Sequence, residues 1–253
     1  MIISYVILII LFLLCLLAYF IFPNINILKD FSPNLAAEIF GILLVVFLID
    51  RVIRISQQKE SKKRQEIAWR QLRIPLLRHF NLLFNMFKAS TQAKPPKVYN
   101  AVTDLFDDTY FAEIGFLDFS KPAPVLTPRG SIDWFTHVSH KFSEFKDALN
   151  NTVQKYALYL DTDIIDLLEG LINSSFISFM MQASNLPKID KTKGYKRQYN
   201  LLNGLSDPVK EYTDLFSKLV LRFNQNLVEE EKIKMIDAWW SDNIAPKISS
   251  GRI

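Results

Sequence analysis

Three histidines, one cysteine and a scatter of carboxylates are the side chains through which this chain could do chemistry, and their spacing limits what that chemistry can be. His137 and His140 stand one helical turn apart with Glu144 a turn further on, a spacing that lets one helix face offer two imidazoles and a carboxylate to a metal. The apolar positions of the same segment, Val138, Phe142 and Phe145, face a core, which leaves both histidines and Glu144 on or beside the polar side, where they need no ligand. His79 is the remaining histidine, and no cysteine follows Cys15. A closed four-ligand site would therefore have to recruit carboxylates from elsewhere, so no metal and no cofactor is expected.

The carboxylates pair without an evident reason to titrate apart. Asp163, Asp166 and Glu169 line one side of an expected helix, and Asp104, Asp107 and Asp108 cluster in a possible turn. Acid and base work needs burial or a partner that separates two pKa values, whereas these read as a solvated helix face and as acids favoured by a helix N-terminus. The seven glycines never come closer than ten residues to one another, which removes the P-loop and the dinucleotide fingerprint, and no G-x-S-x-G elbow is present. The chain is read as a non-enzyme, with a hydrolase using an unrecognised site as the minor alternative.

Charge is the more informative signal. The formal net charge is +4, yet residues 1–50 sum to −2 and residues 51–80, with nine basic and two acidic side chains, to +7, so the remainder is nearly neutral. That distribution gives no licence for sequence-specific nucleic-acid binding. It marks a basic belt in which Arg51, Arg54, Lys62, Lys63 and Arg64 are candidates to contact anionic lipid or phosphate. A second basic run, KIDKTKGYKR over 188–197, adds Lys191, Lys193, Lys196 and Arg197, although a solvated loop is the better reading, because ten residues without a complementary basic face give a small footprint. Trp239 and Trp240 read as core anchors.

The elements that must position these groups begin with 28 uncharged residues, Met1 to Leu28. Ile2 to Phe22 is long enough to cross a bilayer as a helix, with neither the positive start nor the small cleavage residues of a signal peptide. Ser32-Pro33 looks like the capped start of a second helix, and Leu35 to Ile49 is apolar except for Glu38. The expected fold class is thus a membrane protein: an N-terminal two-helix transmembrane hairpin (1–50), a basic polar helical stalk (51–68), and an all-α cytosolic helical domain (69–253). The basic belt places both termini in the cytoplasm as a two-pass inner-membrane protein. One cysteine allows no intrachain disulfide, which fits that compartment. Within the hairpin, Glu38 is a candidate for membrane function because a carboxylate at membrane depth is costly, although the helix N-terminus also favours an acid. Ala37 and Gly41 form a small-xxx-small pair suited to close packing on the first helix or on another copy.

Beyond the stalk, Trp69, Leu72, Leu76, Phe80, Leu83 and Phe87 recur at steps of three and four, with Pro75 expected to kink the helix or open a new one. A short helix is expected over 98–106, an extended segment with a strand pair over 114–128, and a long helix over 131–160. Further helices are expected over 163–184, 206–227 and 230–240.

The layout resembles the two-transmembrane-helix effector proteins of bacterial anti-phage systems, including those paired with retrons. The residues that carry the resemblance are Ile2 to Phe22, Leu35 to Ile49, the run E-I-F-G-I-L-L from Glu38 to Leu44, and the basic exit at Asp50-Arg51. It covers about a quarter of the chain and none of the helical domain. It implies an effector whose helical domain senses a ligand or a cytosolic protein or ribonucleoprotein partner, and whose hairpins form homo-oligomers that permeabilise the lipid bilayer. The alternative is a non-toxic membrane tether or scaffold for a cytosolic complex.

Overall fold

A computed structural model describes residues 2–21, 26–91, 94–127, 130–195, 198–235 and 240. It is 76% helical and divides into two compact units, Met1–Lys63 and Arg64–Ile253.

In the first unit, α1 (Ile2–Ile21) carries no charged residue, and α2 (Asn26–Ser90) is a single 65-residue helix whose residues 26–63 belong to this unit. Ser32 and Pro33, expected to open a helix, lie inside α2. The helix buries Ser32, Ala36 and Ile39 and half-buries Leu43, Val46 and Asp50, steps of three and four that define one seam. In α1 the half-buried positions are Tyr5, Leu8, Phe12 and Cys15, at the same period, and the Phe12 and Phe40 rings stand 6.1 Å apart. Outside these seams the apolar side chains are exposed, from Val6 and Leu14 to Phe47 and Ile53.

A two-helix transmembrane hairpin is not shown. Among the described residues, the one helical stretch long and apolar enough to cross a membrane is Thr162–Lys193, while Tyr5–Ile21 is a shorter apolar helix. The second expected span is not a helix of its own: the apolar run is the beginning of α2, which continues without a break through the charged residues from Asp50 onward. Thr162–Lys193 is itself interrupted at Asn173–Ser174, and its buried apolar residues, from Ile164 to Ala183, belong to the second unit's core. Its length and composition are those of a core segment as much as of a span.

In the second unit, residues 64–90 of α2 bury Trp69, Leu72, Leu76, Phe80, Leu83 and Phe87. Pro75 opens no new helix; α2 runs through it. The expected helix over 98–106 is reduced to a 3-10 turn at Val102–Asp104, followed by α3 (Asp108–Glu113). The domain is not all-α: β1 (Pro122–Thr127) pairs antiparallel with β2 (Gly130–Asp133), Thr127 opposite Gly130 and Pro122 opposite Asp133, with an irregularity between. The second strand occupies the start of the expected long helix, so α4 begins later, at Trp134–Tyr156, where the Asp133 carboxylate accepts the Thr136 amide at 2.8 Å.

The expected helix over 163–184 is two helices, α5 (Thr162–Ile172) and α6 (Ser175–Gln182), because Ser174 caps the second by accepting the Phe176 amide. After a 3-10 turn comes α7 (Leu186–Lys193), which Gly194 ends at φ +70, a left-handed conformation that favours glycine. The last α-helix among the described residues is α8 (Ser206–Gln225). The helix expected over 230–240 is absent over 230–235, and 236–239 lie outside the described residues. There the Asn224 side chain donates to the Ile233 carbonyl and accepts its amide, both at 2.8 Å, and ties the segment to the end of α8.

The core of this unit is aromatic, with Phe80, Phe84, Phe87, Phe119, Phe135, Phe142, Phe216, Trp134, Tyr99, Tyr110 and Tyr212 almost fully buried. Phe142→Ala should therefore cost the full chain about 3–5 kcal/mol of unfolding free energy, whereas Leu158→Ala, at a side chain 92% exposed, should cost less than about 0.5 kcal/mol. Denaturant titration of both variants in detergent checks the contrast.

Candidate functional site

The site is built on three helices of the second unit, where α2, α4 and α8 bring their apolar faces together around one polar side chain. His79 occupies a position of the α2 stripe, three residues after Leu76 and four before Leu83, so the period that buries the leucines buries the imidazole too, at 2% exposure. Its ring stacks on Phe145 with centroids 3.9 Å apart, and Phe142, Tyr212 and Phe216 meet it edge-on. The Tyr212 hydroxyl lies 2.5 Å from Nε2, and Nδ1 has no hydrogen-bond partner among the described residues. Desolvation pushes the His79 pKa down to about 3, so the imidazole is neutral at physiological pH, and burial likewise holds the Tyr212 phenol protonated.

His79 also lines a cleft of about 370 Å³ between α2 and α4. Its apolar wall is Phe145, Pro75 and Ala148, and its rim carries two cations, Arg78 and Lys141, against two carboxylates, Glu144 and Asp147. Lys141 donates to Glu144 at 2.7 Å, and hydrogen bonding and charge from Lys141, with His140 and Arg78 nearby, outweigh partial burial to hold that carboxyl below its ordinary range. The rim is thus balanced in charge, and the floor is a neutral imidazole in an aromatic cage.

The residues singled out in the sequence are placed differently from one another. His137 is buried rather than on the polar side, against Trp134, and burial lowers its pKa. His140 is exposed and lies 3.1 Å from Glu144. Among the described residues no three His, Cys, Asp or Glu side chains converge on a point where a metal could sit. Asp107 caps α3 by accepting the Tyr110 amide, and its other oxygen meets Lys97 at 2.9 Å. Asp104 accepts the Asn100 and Ala101 amides, which hold its carboxyl below the usual range. Asp163 pairs with Arg222 of α8 at 2.6 Å. These acids are structural in what they touch. Trp240 packs on Phe84, Phe87 and Tyr99; Trp239 lies outside the described residues.

Of the basic candidates, Arg54 is held by Asp50 at 2.9 Å, and Arg64 lies over the Tyr159 ring at 5.0 Å. Arg51, Lys62 and Lys63 are exposed, as are Lys191 and Lys193 in the last turn of α7; Lys196 and Arg197 lie outside the described residues. Ala37, Glu38 and Gly41 are exposed, and it is Ala36 that the seam buries. A Cβ built on Gly41 meets nothing within 4 Å, so the small pair does not pack on α1. The chain matches no protein-family model, and neither a curated protein nor a solved structure matches it.

The His79 cage has a consequence for stability. The unfolded imidazole takes up a proton below about 6.5, and the folded one resists it down to about 3, so stability is fully present above 6.5 and falls as pH drops through that window. The slope contributed is ~1.4 kcal/mol per pH unit. Denaturant midpoints measured from pH 7 to pH 4 should show it in the wild type and show it reduced in His79→Gln, which carries no titrating group at that site.

Proposed function

We propose that the chain is a non-enzymatic, membrane-anchored effector of bacterial anti-phage defence, in which the second unit senses a ligand or a cytosolic protein or ribonucleoprotein partner and copies of the first unit associate in the inner membrane and make it leaky. The observation that carries this reading is the first unit's surface. Outside one seam, apolar side chains are exposed over most of α1 and over much of residues 40–55 of α2, with Leu14 at 57% and Phe47 at 55%, and an area of that kind needs an apolar environment. Basic side chains follow at once, with Arg51, Lys62 and Lys63 exposed, which suits an anionic leaflet. The exposed face bearing Ala37, Glu38 and Gly41 is available to another copy, since the chain's own packing leaves it open. The resemblance in layout to anti-phage effectors adds the biological setting.

A second reading, a non-toxic tether that holds a partner complex at the membrane, is favoured by apolar side chains exposed on the second unit: Leu158 at 92%, Phe116 at 66% and Val228 at 62%.

Expression of the full chain with a membrane-potential dye separates the two. The effector depolarises cells, and Glu38→Gln, which keeps the shape and deletes the charge, lowers the leak several-fold at equal membrane content. A tether leaves the potential intact and retains a stoichiometric partner on pull-down. Should Glu38→Gln and Gly41→Leu both keep full toxicity at equal expression, association through this face is wrong.

A further inference from the structure

The His79–Tyr212 contact favours one placement of a proton. The Tyr212 hydroxyl makes no hydrogen bond among the described residues other than to Nε2; if it donates to that nitrogen one polar hydrogen is left unpaired, whereas if it accepts from it both the phenol hydrogen and Nδ1 are left unpaired. A neutral imidazole that accepts at Nε2 carries its hydrogen on Nδ1. Nδ1 is therefore a buried N–H donor with no acceptor, on a side chain that lines the cleft. An orphaned donor at 2% exposure costs free energy in the empty protein, and that cost is recovered when an acceptor arrives.

We propose that the cleft between α2 and α4 is a binding site for a small, net-neutral aromatic molecule bearing a hydrogen-bond acceptor, a ring nitrogen or a carbonyl, which takes the Nδ1–H of His79 while its ring lies against Phe145 and Pro75. The cage excludes a charged acceptor at the floor, because a carboxylate pushed among Phe142, Phe145 and Phe216 loses its hydration for one hydrogen bond. The balanced rim gives no net attraction to either sign, while Arg78 and Asp147, on facing helices, remain able to bond polar substituents that stay at the mouth. The volume of about 370 Å³ admits a bicyclic ring system. This inference rests on the reading of the second unit as the sensor and names the chemistry it would sense.

Quinoline and naphthalene, which share a shape and differ by one acceptor nitrogen, are the probes. With full-length protein in detergent and 15N-labelled histidine, the free protein should show the His79 proton on Nδ1. Quinoline should move that resonance and should bind about tenfold more tightly than naphthalene, the worth of one hydrogen bond. Tyr212→Phe removes the donor that favours this tautomer and should weaken the preference for quinoline, and His79→Phe, which removes the Nδ1–H and keeps an aromatic ring in its place, should abolish it. A His79 proton found on Nε2, an Nδ1 resonance that ignores quinoline, or equal response to the two probes at matched concentration would each overturn the proposal. These readouts are independent of membrane leak, so failure of the effector reading leaves them unchanged, and their failure leaves the leak assay standing.

Discussion

The second unit is arranged around a polar group that its core cannot hydrate. His79 sits where α2, α4 and α8 meet, boxed by Phe142, Phe145, Phe216 and Tyr212, and of these only the tyrosine has anything to offer an imidazole nitrogen. A leucine would fill the same position in the stripe and leave no nitrogen unpaired, so packing does not account for a histidine here. What the histidine adds is direction. The ring lies flat on Phe145 and turns Nε2 to Tyr212, so one side chain of α2 ties it to both α4 and α8. Charging the ring would break the arrangement from within, because among the described residues no carboxylate pairs with it and the aromatic walls cannot replace water.

The two units place opposite demands on their surroundings. The second hides its aromatic residues and solvates its charges: acids cap helices or pair with lysine and arginine, as Asp107, Asp133 and Asp163 do. The first keeps apolar side chains outward over most of α1 and the adjoining part of α2, then exposes a basic stretch. No monomeric protein in water benefits from such a surface. α2 belongs to both, and its sequence changes from apolar to charged to amphipathic along one unbroken helix.

Much of this was legible where one period governs a segment. The stripe from Trp69 to Phe87 and the stripe of α4 needed only spacing, since a buried helix face leaves its mark at every third or fourth residue. Periodicity alone joined two helices whose apolar faces lie on either side of a short polar break: Leu171, Ile172, Phe176 and Ile177 are all buried, and the intervening Asn173-Ser174-Ser175 is the local signal of the break that Ser174 caps. It failed again at 230–235, where the side chain of Asn224 binds the backbone of Ile233 and a distant partner overrides local helix preference. As a metal ligand His79 stands alone in the sequence, with no other histidine or cysteine at ligand spacing. Its place between Leu76 and Leu83 on the buried face was the signal that marked it.

The same reasoning separates Ala36 from Ala37. Sequence alone offers two small residues in succession and cannot say which faces inward; the seam through Ser32, Ala36, Ile39, Leu43 and Val46 decides it, and rotates Ala37 and Gly41 outward. A glycine inside a helix costs about 1 kcal/mol relative to alanine. That cost is usually offset by a close approach that a methyl group would block, as it would be had Gly41 met α1. Here a Cβ would stand in open space, so the chain's own packing gives no reason for glycine at 41. If there is a reason, it lies in something outside this chain that comes against the face Gly41 shares with Ala37 and Glu38, and among the surfaces described a second copy of that face is the one whose small residues match it.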